Sequence, residues 1–461
     1  MVGASGLPST MDRSAEGHHM SRITARLTRA AFAAGLALLV SSPGPAAAQT
    51  AAPEQSAMTA AGWLAEQLTD EGVIEVTFED DTFPDMGLTA DAVLAMSAAG
   101  VAADAATTAT DYLAAHVEDY ASQGKDEYAG SYAKLLLLAT AQERDPASFG
   151  GVDLITALQD REANSGRYAD KTVTGDDYTN VITQSLGILA LQRATDDGPS
   201  SAAVEFLADQ QCNDGGFPTT FGTDGAEVCT GAVDSTGFAV QALLAAGADE
   251  PAQEAMDWLE QQRGPDGGFQ GEPVGEDQPV TNANSTALAV QALAAGGRDV
   301  TDSLAFLTAL QLDCAAPPDS QGAIVFDDAA ARAALDEEAA IDVATAARST
   351  AQAVPALVGA GLAEVSGSGA EAAAPELNCA GDQPAETASP AASAAASPAA
   401  SPAAATGDTG APAADAAGDP QAGPSPDGGS STPLLLTGGA LLAAVAVGAA
   451  VLLGRRRSRG A

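Results

Sequence analysis

The chain has 461 residues, 62 acidic against 19 basic side chains, a formal net charge of -43 and only 4% aromatics. So acidic a surface repels nucleic acid and anionic headgroups, which excludes polyanion binding and suits a protein that stays soluble outside a cell. The length leaves room for one large domain once the low-complexity ends are set aside, and abundant Ala and Leu favour helix.

Residues 1–48 read as an export signal. Arg22, Arg26 and Arg29 precede an apolar run from Ala30 to Val40, and Pro43, Pro45 and the small residues Ala46, Ala47 and Ala48 follow. A charged segment, an apolar segment and a small-residue site predict cleavage after Ala48. The segment before Met20 is an odd preface, which points to Met20 as the true start.

Residues 55–365 repeat themselves. An amphipathic segment from Ala202 to Gln211 ends in Gln-Gln and leads to Asp-Gly-Gly-Phe at Asp214 to Phe217; Ala252 to Gln262 does the same before Asp266 to Phe269. Each is followed by a second, apolar segment, Asp234 to Leu243 and Asn284 to Leu293, offset by 50 residues. Weaker copies pair Trp63–Leu68 with Leu88–Ala99, Thr110–Tyr120 with Ser131–Ala141, Val152–Gln159 with Thr183–Gln192, and Leu304–Gln311 with Ala346–Leu357. Self-similarity at a fixed period means stacked units sharing one core. A helix apolar all round is buried and an amphipathic one lies outside it. The expected fold is therefore all-α, an (α/α)6 toroid of about six helical hairpins. Asp234 and Asn284 are expected as N-caps, and Gly247 and Gly297 as helix stops.

Four cysteines, Cys212, Cys229, Cys314 and Cys379, match no zinc or redox spacing, and an even count in an exported chain reads as disulfides. Of the three pairings, Cys212–Cys229 and Cys314–Cys379 are favoured because each closes a local loop. Residues 366–432 are mostly Ala, Pro, Ser, Gly and Asp and predict an extended stalk. Residues 433–454 carry an apolar run long enough to span a bilayer, and Arg455, Arg456 and Arg457 open a basic tail, 455–461, expected to stay cytoplasmic. Leu434-Leu435-Leu436-Thr437-Gly438 resembles a sortase signal but has Leu435 where Pro or Ala is usual. A membrane anchor with the toroid outside is thus expected, cell-wall attachment being the alternative.

The Gln-Gln and Asp-Gly-Gly-Phe turns resemble the repeats of squalene cyclases and protein prenyltransferase beta subunits, and the Ser235 to Leu243 helix is similar to the toroid of cobalamin-binding transport proteins. The resemblance implies an α/α toroid over about 300 residues. It does not extend to the chemistry. The Asp-x-Asp-Asp acid of the cyclases is not matched by Phe78-Glu79-Asp80-Asp81 or Thr174-Gly175-Asp176-Asp177, and cavity aromatics look too few. The zinc ligands of the prenyltransferases are not matched either: His18 and His19 fall in or before the signal, and His116 reads as an ordinary outer-helix surface residue. Glu227-Val228-Cys229 and Asp313-Cys314 complete no site. No metal or cofactor is expected.

A glycan-processing enzyme would need two facing carboxylates, with Asp85, Asp91, Asp176, Asp177 and Asp234 as candidates. The leading expectation is a non-catalytic surface protein binding a small molecule, corrinoid-like or other, or a partner, in the toroid. The site is expected where second helices begin, at Tyr178, Asn180, Asp234 and Asn284. A terpenoid cyclase-like or glycan-processing enzyme is the alternative.

Overall fold

The computed structural model describes residues 52–78, 81–222, 229–273, 278–335, 341–375, 377 and 379. The expected signal peptide, most of the stalk, the apolar segment 433–454 and the basic tail lie outside the described residues. Among the described residues no helix is long and apolar enough to cross a membrane.

Helices dominate, in two concentric layers. The outer members are α1 (Pro53–Glu66), α3 (Ala103–Ala115), α6 (Leu154–Gln159), α8 (Ser201–Ala208), α10 (Asp249–Gln262) and α12 (Thr301–Ala309); the inner ones are α2 (Met86–Ala99), α5 (Ala129–Ala141), α7 (Val181–Ala194), α9 (Val233–Ala245), α11 (Ala283–Ala295) and α14 (Val343–Leu357). Short helices α4 (Val117–Ala121) and α13 (Asp328–Ala334) sit in connections. Each inner helix packs on the next in the order α2, α5, α7, α9, α11, α14, and α14 returns to α2. The circle is closed, as expected. The layers differ as the sequence requires: α11 buries eleven of its 13 residues, whereas α10 buries five of 14, along one stripe. Inner helices approach closely because their contacts are small; a methyl on Gly237 of α9 would lie 2.9 Å from the Leu288 carbonyl of α11.

One latch recurs at the joint between layers. The N–H of a turn residue donates to a side chain of an inner helix: in the first turn for Ile74 to Thr89, Tyr168 to Gln184, Phe217 to Thr236 and Phe269 to Thr286, and at the eighth residue of α14 for Ile324 to Thr350, at 2.9–3.0 Å. These donors are buried, so each bond avoids an unpaired N–H. Asp214 and Asp266 accept from the N–H two residues on, which ties the Asp-Gly-Gly-Phe turns. The weaker copy at Ser165 to Tyr168 follows the same path. Gly166 has φ +85°, and a Cβ there would meet the Ala202 carbonyl oxygen at 2.0 Å. Gly166→Ala is expected to cost at least about 2 kcal/mol in urea unfolding; a loss below about 0.5 kcal/mol would show that the turn is not the tight joint described.

Gly247 and Gly297 end α9 and α11 with φ of +74° and +72°, as expected. The N-caps are corrected. α9 starts after Ala232, whose N–H is held by the Phe217 carbonyl, and α11 is capped by Asn282, whose side chain accepts from Ser285. Asp234 and Asn284 are each two residues inside. Pairing of the preceding extended segment, which sequence does not display, sets the start.

Both expected disulfides are present, Cys212–Cys229 and Cys314–Cys379. The second reveals a shift of boundary. Residues 366–375, expected in the stalk, still pack on the domain. After α14 the chain runs under the C-terminal ends of the inner helices as a belt. Gln241 of α9 accepts from the Leu362 N–H, and Arg193 of α7 donates to the carbonyls of Leu362, Ala363 and Val365 at 2.7–3.0 Å. Burial pulls the Arg193 pKa down, and those three carbonyls satisfy its charge without a carboxylate. The belt continues past Ala141 of α5, pairs Glu371 with Gly100 and Ala103, passes Gly62 of α1, and is fastened at Cys379 to Cys314, beyond α12.

Candidate functional site

The ring encloses a cavity of about 390 Å³. Its mouth is at the N-terminal ends of the inner helices, and Leu362 of the belt forms part of its floor. The sixth residue of every inner helix lines it: Asp91, Lys134, Leu186, Phe238, Leu288 and Arg348. These form one tier, because all six helices start at the mouth and run the same way. The tier is divided. Three neighbouring helices, α14, α2 and α5, contribute charge; the other three, α7, α9 and α11, contribute apolar side chains.

On the charged side Lys134 binds both oxygens of Asp91, at 2.8 and 2.9 Å. Burial alone would pull the Lys134 ammonium down, but Asp91, Tyr120 and Asp85 hold it above its ordinary value. Arg348 pairs with Asp85 Oδ2, while Asp85 Oδ1 caps α2 by accepting from Leu88 at 2.9 Å. Both carboxylates are thus held in ion pairs. Nearer the mouth, Asp170 is held by the N–H groups of Ala129 and Tyr178; burial raises its pKa despite them.

Across the ring stands Asp234, in the first turn of α9. Its Oδ1 is sealed from solvent and has no hydrogen-bond partner. Burial raises the carboxyl to about 6, the hydrogen bond from Ser285 opposes this, and Glu272 adds to it. Gln291 of α11 and Gln352 of α14 also line the cavity, and each has a sealed Oε1 without a partner. The Gln291 amide is oriented by its Nε2, which donates to the Gln352 carbonyl at 2.9 Å.

Of the four residues expected at the site, Tyr178, Asn180 and Asp234 line the cavity. Tyr178 is half exposed at the mouth, and Asn180 caps α7 through Thr183. Asn284 is not among the lining residues; it is buried and accepts from Ser349, tying α11 to α14. His116 is corrected: it ends α3, stacks on Tyr112 with ring centroids 4.1 Å apart, and lines the cavity with it. The aromatics are also corrected. Four of the six tyrosines, Tyr112, Tyr120, Tyr128 and Tyr178, line the cavity with Phe83 and Phe238. Few in total, they are concentrated here because most come from turns and connections at the mouth. Of the five candidate carboxylates, Asp85, Asp91 and Asp234 line the cavity; Asp176 and Asp177 do not, and Asp177 pairs with Arg167 at 2.7 Å. Lys134 and Arg348 escaped notice, though a charge at the sixth position of an otherwise apolar helix is a readable signal.

Residues 120–273 and 236–313 match the family model of the prenyltransferase alpha-alpha toroid domain. Over those residues the ring is similar to that family's toroid. A protein from Actinoplanes is similar at 18% identity, covering 66% of this chain and 99% of that one with a TM-score of 0.47. The type II terpene cyclase MstE from Scytonema matches at 17% identity, 66% and 98% coverage and a TM-score of 0.48. A glycosidase matches at 14% identity, 68% and 99% coverage and a TM-score of 0.45. Overlaps this loose say nothing of activity. The curated proteins contain no match to the toroid chain, and these matches give no support to the likeness to cobalamin-binding transport proteins.

Proposed function

We propose that the chain is a surface receptor, exported and tethered to the outside of the cell membrane through residues 433–454, that holds a small amphiphilic molecule in the toroid. The observation that carries this is the divided tier. Apolar Leu186, Phe238 and Leu288 face the ion-paired Asp91, Lys134 and Arg348 across one enclosed space. An enclosed, partly apolar cavity with a few fixed polar groups is the usual form of a small-molecule site. The two disulfides support an oxidising location outside the cell.

The test is retention. The full chain, purified after exposure to a metabolite extract of its native cells, should carry a stoichiometric small molecule that mass spectrometry detects. Leu186→Trp, which fills the apolar half, should carry none. An empty wild-type protein, or equal loading of the two, sinks the reading.

Asp234 favours a second reading. A carboxyl raised to about 6 by burial in a cavity is suited to proton donation. The toroid would then be a terpenoid cyclase-like or glycan-processing enzyme with one acid. In that case the molecule recovered from wild type differs from that on Asp234→Asn, as product differs from substrate. Under the receptor reading whatever Asp234→Asn retains is the same molecule that wild type carries.

A further inference from the structure

The polar half of the bound molecule can be specified further, on the basis of the receptor reading. Beside the two ion pairs Asp91–Lys134 and Asp85–Arg348, the carboxylates of Asp170 and Asp234 also line the cavity, so the enclosed space carries an excess of negative charge. Burial raises the pKa of Tyr120, Tyr128 and Tyr178, and cavity carboxylates add to it: Asp91 and Asp85 at Tyr120, against Lys134, and Asp170 at Tyr128 and Tyr178, beside Asp126 and Asp176 outside the lining.

The unmet hydrogen bonds have one sign as well. Asp234 Oδ1, Gln291 Oε1 and Gln352 Oε1 are acceptors, each sealed from water and each without a donor. A buried acceptor left unpaired costs about 1–3 kcal/mol, which a ligand donor returns. No cavity-lining donor is orphaned in this way among the described residues. Aromatic faces complete the set: Tyr112, Tyr120, Tyr128, Tyr178, Phe83 and Phe238 surround the space, and ring faces attract cations. Negative potential, unpaired acceptors and aromatic walls together describe a receptor for a molecule that is positive, gives N–H bonds and carries an apolar body.

We infer that the toroid binds an organic ammonium, a primary or secondary amine in its charged form, with the nitrogen drawn to Asp234 and the apolar part against Leu186, Phe238 and Leu288. A carboxylate or phosphate is repelled by the same lining. A neutral alcohol offers one donor and no charge.

Calorimetry on the full chain with three isosteric probes tests this: phenethylammonium, 2-phenylethanol and 3-phenylpropanoate. The ammonium is expected to bind at least tenfold more tightly than the alcohol, and the carboxylate not to bind. Asp234→Asn, which keeps shape and removes charge, should bring the ammonium down to the level of the alcohol. Thermal unfolding of the variant checks its fold. The inference is overturned if the alcohol or carboxylate binds as tightly as the ammonium, if Asp234→Asn leaves the ammonium unaffected, or if none of the three binds. Retention of a neutral or anionic metabolite by wild type alone would leave the receptor reading standing and remove only the ammonium; loss of all retention would remove both.

Discussion

Replacing Cys314 and Cys379 together by serine is expected to lower the free energy of unfolding by about 4 kcal/mol. The crosslink spans 65 residues, and the chain entropy that such a loop denies the unfolded state is of that order. The loss should exceed that for Cys212 and Cys229, whose separation of 17 residues corresponds to about 3 kcal/mol on the same basis. Release of Cys379 also frees the end of the belt. Proteolysis of the double-serine variant should therefore remove residues near Cys379 first and advance towards Glu371, while Leu362, held by Arg193 and Gln241, persists. Denaturant unfolding and timed proteolysis read these outcomes. A stability loss under about 1 kcal/mol, with the belt still protected, would mean that its hydrogen bonds suffice without the bridge.

Asp234 controls the second large effect, through pH. Burial raises its carboxyl from 3.8 to about 6 in the folded chain. Between those values the folded state holds a proton that the unfolded state has released. Unfolding free energy therefore falls as pH rises through that window, and the deficit is complete above about 6. Its upper size is about 3 kcal/mol, from the shift in pKa. Asp234→Asn cannot ionise. The variant is expected to equal wild type near pH 3 and to exceed it by up to about 3 kcal/mol at pH 8, measured as the difference between two urea-unfolding series. Parallel pH profiles would show that the carboxyl is not held in the environment described. A stabilising substitution at a cavity position is what a binding group produces when it is maintained at a cost to the fold.

The ring itself was legible because its causes are local. Repeated Gln-Gln and Asp-Gly-Gly-Phe turns, apolar second helices and striped first helices each follow from a short stretch of chain, and six hairpins in one circle follow from their repetition. The pairing of cysteines was legible for the same reason. The cavity was less so. Asp234 reads as a cap because Asp at a helix start most often is one; the two-residue shift depends on the Ala232 N–H meeting the Phe217 carbonyl, a contact between turns. His116 reads as a surface residue because α3 is an outer helix, yet its last turn leans over the mouth beside Tyr112. The division of the tier shows only when the six inner helices are aligned by their starts. Asp91, Lys134 and Arg348 are then seen to be neighbours, although Arg348 lies 263 residues from its partner Asp85.

The belt bears on how the molecule carries load. Tension applied beyond Cys379 passes through the sulfur bridge into Cys314, and so into the double-layered wall, before it reaches the segment that supports Leu362. The first described helix is joined to the same sector, where Gln311 donates to the Ser56 carbonyl and Trp63 to the Asp319 carbonyl. If the chain is tethered beyond Cys379 as proposed, pulling there would load the rim while the base of the chamber stays slack, and the proposed ligand would not be spilled.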